Sequence, residues 1–453
     1  MQLPPSFSAF PWLPAMCLGV AASLGVAASA ASLSADAAWR EPPTDLAELR
    51  ARGPAALDEL LARYDRLAAM NAPPDPGWEA AIDAVAGQRY ATTSRLYWYT
   101  ELAAAEQEAH RLHRPILALR LLGDLRDDLS CANSRLFRAT LYANRELSAF
   151  LRANFVLYWS TERPVPIVTI DLGGGRKLVR TTTGNSAHYV LDEDGHVLDV
   201  LPGLYAASVF RTELTRSLAL AGRVRGMTDA ARIRETVAYH AAALEASERT
   251  WTTSVPWSDL RGRLGLGSSD GAAMVAQAQA RTIGKNVIEL GDLRAMGLIH
   301  PGDVPSDDAA AWTEIGAQVW GFALETVGPL AALVAPSRAL GRPDPGPILD
   351  APSRDLVRAL HNAGPIEQRA TAGQLASVVA RLEQHIVADT AQNELRLRLA
   401  IHRYIAEQAV TDFARLNAWI YEVVFASPKA DPWLGLLART DFTGLPGDGV
   451  VMP

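Results

Sequence analysis

The spacing of apolar residues divides the chain into helical stretches and a mixed stretch. Between residues 44 and 70, leucines recur on one face of a helical pattern, which the sequence Asn-Ala-Pro-Pro-Asp-Pro-Gly at 71–77 ends. From residue 366 to residue 425, apolar residues again recur with helical spacing, which predicts two or three packed helices. The pattern therefore predicts helical segments on both sides of the middle of the chain.

Between residues 94 and 222 the pattern alternates between helix and strand. Thr100 and Ser130 precede two of the helices and are predicted to cap them. Gly173-Gly-Gly175 and Asp194-Gly195 predict the turns of two hairpins. Helices are predicted over residues 101–112, 131–142, 145–152 and 205–220, and strands over 116–122, 155–159, 165–171, 176–183, 188–192 and 196–201.

Charge and composition exclude little more than a general nucleic-acid binder. Lys and Arg total 43 and Asp and Glu total 50, so the formal net charge is −7, and no basic stripe is expected. A hydrophobic fraction of 49% is ample for packed cores. We therefore expect a globular protein that does not bind nucleic acid, and no sequence pattern predicts a cofactor or a metal ion.

The N-terminal region carries a long apolar run before the first basic residue, Arg40. The run ends at Ala28-Ser29-Ala30, a small-residue pattern that signal peptidases recognise, although a positive region in front of it is missing. Residues 1–35 are predicted to be a signal peptide or a retained anchor, and a misassigned start is a third interpretation. The predicted location is therefore periplasmic or extracellular, with membrane contact only through an uncleaved N-terminal segment.

Cysteine usage directs attention to one residue. The chain has two cysteines, and Cys17 lies inside the predicted leader, so Cys131 is the only cysteine expected in a mature chain. No disulfide can form within such a chain. Cys131 begins a predicted helix, where unpaired backbone N–H groups favour a thiolate, and Arg135 and Arg138 follow on the same helix.

The order of elements and several short motifs resemble the thioredoxin-like superfamily. The matching pieces are Ala105-x-x-x-Ala109 leading to Arg114-Pro-Ile-Leu117, Cys131-Ala-Asn-Ser134 at the start of a helix, Phe155-Val156, and Val190-Leu-Asp-Glu-Asp-Gly195. Members of that superfamily carry Cys-x-x-Cys after the first core strand. The resemblance implies that Cys131 occupies the position of the first cysteine and Ser134 that of the second.

A Cys-x-x-Ser motif limits the chemistry that the resemblance implies. A thiolate at Cys131 could form a mixed disulfide, and Ser134 could donate a hydrogen bond to it, but Ser134 could not resolve that disulfide. Arg135 and two residues on a later strand, Ser186 and His188, are candidates for supporting roles. Ser186 stands where the superfamily usually has a cis-proline, and His188 shares its strand face, so it could pair with Cys131 or be a structural histidine.

The predicted C-terminal helices carry acidic residues and histidines that permit two interpretations. His385 and Asp389 lie one helical turn apart, which would suit a metal ion, but a solvated helix face is the preferred interpretation. The residues concerned are Glu383, His385, Asp389, Glu394 and His402.

These observations together predict an α/β protein with a thioredoxin-like domain and a mostly α-helical C-terminal half. The predicted function is thiol-based redox chemistry or thiol–disulfide exchange by Cys131, with protein or small-molecule thiols and disulfides as partners. The alternative is a non-catalytic scaffold or partner-binding module. The predicted segments are a leader (1–35), an N-terminal helical segment (36–93), the thioredoxin-like domain (94–222), a helical region (223–334), a Pro-rich linker or loop (335–354) and a C-terminal helical region (355–453).

Overall fold

The structure is a computed structural model, in which the chain forms two compact units, Met1–Ile82 and Asp83–Pro453. The predicted leader and residues 335–346 of the predicted linker lie outside the residues that the structure describes. Within the described residues, no helix is both long enough and apolar enough to cross a membrane. The described ranges are 40–70, 75–181, 185–254, 309–325, 347–366 and 369–425.

The first unit contains helices α1 (Leu46–Ala51) and α2 (Pro54–Ala69) and the start of α3 (Gly77–Ala86). The apolar pattern over 44–70 corresponds to two helices because Gly53, with φ at 74°, interrupts the backbone between them. Pro54 then occupies the first turn of α2, where its missing N–H costs no hydrogen bond.

The second unit contains a mixed sheet and the helices around it. Most of the predicted elements of this region form within a few residues of their predicted bounds. Up to the end of the sheet they are α4 (Ala91–Ser94), α5 (Leu102–Leu112), β1 (Ile116–Leu122), α6 (Ala132–Leu136), α7 (Arg145–Asn154), β2 (Val156–Arg163), β3 (Ile167–Asp171), β4 (Lys177–Thr181), β5 (Ala187–Leu191) and β6 (Val197–Pro202).

The remaining described elements of the second unit are helical. Two of these helical stretches contain a π-helical turn, at Asn393–Leu397 and at Ile420–Val424, and a third such turn, Phe137–Leu141, follows α6. Residues 351–354, which were predicted to belong to the linker, begin a helix. The helices are α8 (Ala207–Val224), α9 (Asp229–Ser254), α10 (Ala309–Trp320), α11 (Ala351–His361), α12 (Ala372–Gln392), α13 (Arg398–Gln408) and α14 (Phe413–Trp419).

The central sheet has the strand order β2-β1-β5-β6. Strands β1 and β2 are parallel, whereas β5 runs antiparallel to both β1 and β6. Every residue of β5 and β6 is buried. Because successive side chains of a strand point to opposite faces, this burial means that both faces of the sheet are covered. The predicted α/β class with a mixed sheet flanked by helices is confirmed.

The hairpin of β3 and β4 forms a separate two-stranded sheet. Its turn at Gly173-Gly-Gly175 has positive φ at all three residues, which suits glycine. The predicted hairpin is confirmed, and it stands between β2 and β5 in the chain.

The two predicted helix caps are wrong. Helix α5 has Glu101 as its N-cap residue and α6 has Cys131, and neither side chain caps its helix. The Ser130 hydroxyl instead accepts hydrogen bonds from Ser134 and Arg138, so it is occupied by tertiary partners. Helix α6 begins at Ala132, one residue after the predicted start, with Cys131 as its N-cap residue.

The C-terminal helices share one hydrophobic core with the sheet. That core includes strand residues such as Leu119 and Val200 together with Ile401 and Leu416 from α13 and α14. Polar contacts reinforce it. The Asn393 amide donates to the Leu204 carbonyl at 2.6 Å, and the Tyr189 hydroxyl donates to Asn417 at 2.9 Å. The helices therefore complete the fold around the sheet.

Candidate functional site around Cys131

Cys131 lies directly after the loop that follows β1, at the start of α6. Its backbone N–H donates to the carbonyl of Leu122 at 3.1 Å, and its own carbonyl accepts the first helical hydrogen bond, from Arg135. The strand end and the helix start thus hold the residue in place. This position agrees with the predicted start of a helix after the first core strand.

The Cys131 sulfur is enclosed by serine hydroxyls. Its Sγ lies 3.1 Å from Ser186 Oγ and 3.5 Å from Ser134 Oγ. The side chains of all three residues are fully buried, and the exposed fraction of Cys131 is 0%. The structure therefore brings together Cys131, Ser134 and Ser186, three of the residues that the sequence singled out.

Ser134 has stronger acceptors for its proton than the sulfur. Its Oγ lies 2.7 Å from Ser130 Oγ and 2.8 Å from the Cys131 carbonyl. A serine hydroxyl has one proton to donate and two lone pairs to accept with. When the Ser134 proton is donated to Ser130 Oγ or to the Cys131 carbonyl, Ser134 has no proton left for the sulfur. In the contact between Cys131 and Ser134, the thiol is then the donor.

Two arginines of the same helical stretch approach the site from different sides. The Arg138 guanidinium is buried and donates to the Leu125 carbonyl at 2.9 Å and to Ser130 Oγ at 3.0 Å. Arg135 donates to Thr181 Oγ1 at the end of β4, at 3.0 Å. Burial lowers the pKa of both guanidinium groups. The two cations thus lie on the helical stretch that follows Cys131, each bonded to other partners.

His188 lies on β5 as predicted, but its hydrogen bond goes to another residue. Its Nε2 lies 2.7 Å from the Tyr142 hydroxyl, and its ring packs against Phe137 and Phe210 with centroids 4.7 and 4.9 Å away. Burial lowers the pKa of His188 to about 3, so the ring is neutral at pH 7. His188 therefore has the environment of a structural histidine in an aromatic cluster and does not pair with Cys131.

A second polar cluster was not predicted from the sequence. Asp199 on β6, His240 on α9 and His402 on α13 are all buried, and one potential ligand atom of each lies within 4.8 Å of the others. Burial lowers the pKa of His240 to about 4 and that of His402 well below its usual value, so both rings are neutral at pH 7. Of these residues, only His402 was noted in the sequence, because the other two lie far away in the chain.

Arg398 connects this cluster to further carboxylates. Its guanidinium donates to Asp199 and Glu213 at 2.6 Å and to Glu394 at 2.9 Å. Burial raises the pKa of Glu394 to about 7, and nearby Glu213 adds to the shift, while Arg398 opposes it.

The predicted solvated face on the C-terminal helices is therefore wrong for some of its members. Glu383 and His402 are buried, with 0% and 3% of their surfaces exposed. The Glu383 carboxylate instead accepts from Arg354 at 3.1 Å, and His402 faces His240. Helical spacing predicted the positions of these side chains but not the elements that would cover them.

Comparison with known proteins adds no relative to this description. No family model, no curated protein and no solved structure matches the chain.

Proposed function

We propose that residues 94–222 form a thioredoxin-like domain that acts as a non-catalytic platform for the C-terminal helices. The thioredoxin-like part of the proposal is supported by the strand order β2-β1-β5-β6 with its one parallel pair, and by the position of Cys131 after β1. Ser186, which immediately precedes β5, faces Cys131 where the superfamily has its cis-proline.

The non-catalytic part is carried by one observation, the complete burial of Cys131. Thiol–disulfide exchange requires the thiolate sulfur to reach a sulfur of the substrate. Ser134 and Ser186 occupy the space beside Sγ, and their hydroxyls satisfy its hydrogen bonding. Cys131 in this environment acts as a small buried side chain that stabilises the core.

The platform role is supported by the bonds between the sheet and the helices beyond it. Val197 at the start of β6 donates its backbone N–H to the Thr411 carbonyl at 2.8 Å. The backbone N–H of Ala206 donates to the Thr390 hydroxyl at 2.8 Å. These contacts, with those of Asn393 and Tyr189, place the C-terminal helices against the β5–β6 side of the sheet.

The proposal is tested by labelling Cys131 with a thiol reagent at neutral pH in a Cys17→Ser background, where Cys131 is the sole thiol. We expect the folded chain to be protected and labelling to begin only when a denaturant unfolds it. The matched control is Thr212→Cys in a chain that carries both Cys17→Ser and Cys131→Ser. Because Thr212 is exposed, this variant should be labelled at once. Rapid labelling of Cys131 in the folded chain would overturn the platform proposal.

Thiol chemistry at Cys131 is the second candidate, and the nearby arginines favour it. Arg135 and Arg138 lie on the helical stretch that follows Cys131, and cationic neighbours are typical of reactive cysteines. In this case local opening of the site would have to expose Sγ. The same labelling experiment decides between the two candidates, because a thiolate that opens readily reacts in the folded chain.

A further inference from the structure

The buried cluster of Asp199, His240 and His402 combines nitrogen and oxygen ligands from three separate elements. The three side chains come from β6, α9 and α13, so the cluster exists only in the folded chain. None is more than 3% exposed. Two imidazoles and a carboxylate are ligands that a zinc ion binds in proteins.

The Nδ1 atoms of the two histidines face each other. Nδ1 of His240 lies 2.5 Å from Nδ1 of His402, which is closer than an ordinary hydrogen bond from an N–H group. Nε2 of His240 lies 3.0 Å from the Leu198 carbonyl and donates its proton there. In a neutral ring this leaves the His240 Nδ1 as a lone pair that points at His402.

A metal ion between these rings requires only a small displacement. At a zinc–nitrogen distance of about 2.0–2.1 Å, two tetrahedral nitrogen ligands lie roughly 3.3 Å apart. The imidazoles would therefore separate by less than about 1 Å from their present positions. The bond from His240 Nε2 to a backbone carbonyl matches the usual outer contact of a metal-binding histidine, which fixes its tautomer and orientation.

The third ligand, Asp199, is held in place by other side chains. Its Oδ2 accepts from Arg398 at 2.6 Å, from Ser217 at 2.7 Å and from Tyr239 at 2.8 Å. Its Oδ1 accepts one hydrogen bond, from the backbone N–H of Val200 at 2.8 Å, and therefore retains a lone pair. These contacts orient the carboxylate, as outer contacts do at metal sites.

We propose that Asp199, His240 and His402 form a binding site for a divalent transition-metal ion of the zinc class. Imidazole ligands disfavour Mg²⁺ and Ca²⁺, which bind oxygen atoms. Because the ligands belong to β6, α9 and α13 and are buried, the ion would hold the helices to the sheet. The site is separate from Cys131 and does not depend on the proposed function.

The first experiment uses the wild-type chain, produced without a histidine tag. Metal analysis of the purified protein should find about one zinc ion per chain. After removal of the metal with a chelator, added Zn²⁺ should raise the melting temperature and added Mg²⁺ should not, since binding to the folded state alone stabilises it. A chain that contains no metal and whose melting temperature does not respond to Zn²⁺ would overturn the proposal, and the histidines would then form only a hydrogen-bonded pair.

The second experiment identifies the ligands with three matched variants. His402→Gln should abolish stoichiometric zinc binding, because its amide can form a hydrogen bond but is a poor zinc ligand. His188→Gln, which changes a buried neutral histidine elsewhere in the same core, should retain the zinc. His196→Gln tests the partly exposed Asp192, Asp194 and His196 group at the β5–β6 turn and should also retain it.

The outcome that overturns the assignment is retention of zinc by folded His402→Gln, or loss of zinc in folded His196→Gln. If His402→Gln does not fold, the Zn²⁺ titration of the wild-type chain together with the His196→Gln variant still decides the question. Cobalt in place of zinc gives an independent measurement, because its visible absorption changes when imidazole nitrogens bind it.

Discussion

Individual buried side chains show how strongly the environment controls their chemistry. Cys131 and His188 both belong to residue types that often carry catalysis, and both are fully buried. The neighbours of Cys131 are serine hydroxyls, and those of His188 are aromatic rings and the Tyr142 hydroxyl. A residue type in a promising position is therefore a weak guide to reactivity until its contacts are known.

The pH dependence of stability should contain a contribution from His188. Burial lowers its folded-state pKa to about 3, below the value of 6.5 expected in the unfolded chain. As the pH falls, this histidine is therefore protonated in the unfolded chain before it is protonated in the folded chain. The stability that is present above pH 6.5 is lost as the pH falls towards 3. At about 1.4 kcal/mol per pH unit, the loss from this residue amounts to roughly 2 kcal/mol by pH 5.

This contribution is measured by denaturant unfolding of the wild-type chain and of His188→Gln between pH 7 and pH 5. The variant starts less stable because its side chain no longer matches the aromatic pocket, but its free energy of unfolding should fall less steeply with pH. Parallel curves for the two proteins would show that His188 does not titrate on unfolding.

At the scale of single elements, local signals and tertiary contacts compete for the same side chains. Ser130 precedes a helix and has the right chemistry for a cap, but Arg138 and Ser134 use its hydroxyl. Asn144, in contrast, caps α7, and its Oδ1 accepts from the Leu147 N–H at 2.9 Å. The difference is that Ser130 is buried among polar partners and Asn144 lies nearer the surface.

Asn144→Ala should therefore destabilise the folded chain by about 1 kcal/mol, because an N–H group at the start of α7 loses its acceptor. Asn144→Asp is the matched control, since a carboxylate can accept the same bond and favours a helix N-terminus. The measurement is the free energy of unfolding in urea. Equal stability of Asn144→Ala and the wild-type chain would show that solvent replaces the cap at no cost.

At the scale of the whole molecule, the sheet and the C-terminal helices belong to one hydrophobic core. The predicted boundary between a thioredoxin-like domain ending at residue 222 and later helical regions does not coincide with a break in this core. Leu416 on α14 and Tyr189 on β5 are both buried in it. We therefore expect the sheet and these helices to unfold together.

A single substitution in the last helices should expose the distant thiol. Leu416→Ala removes a fully buried side chain and should cost roughly 2–5 kcal/mol. The urea concentration at which Cys131 becomes labelled should then fall together with the midpoint of helix loss. Glu407→Ala, on the exposed side of α13, should change neither value. A lower helix midpoint with unchanged Cys131 labelling would mean that the sheet unfolds independently.

The local pattern determined much of the backbone of this protein. Two strand patterns joined by Asp194-Gly195 predicted β5 and β6, and Gly173-Gly-Gly175 predicted the turn between β3 and β4. The position of Cys131 after β1 followed from neighbouring residues as well. These features depend on spacing and turn chemistry within about ten residues, which a sequence displays directly.

Only the tertiary structure decided the environments of the functional candidates. The enclosure of Cys131 depends on Ser186, 55 positions away, and His240 meets His402 across 162 positions. Periodicity predicts which face of an element is apolar, but it does not specify which other element covers that face. Burial, hydrogen-bond partners and the convergence of ligands depend on long-range packing, and for this reason the Asp199, His240 and His402 cluster emerged only from the folded chain.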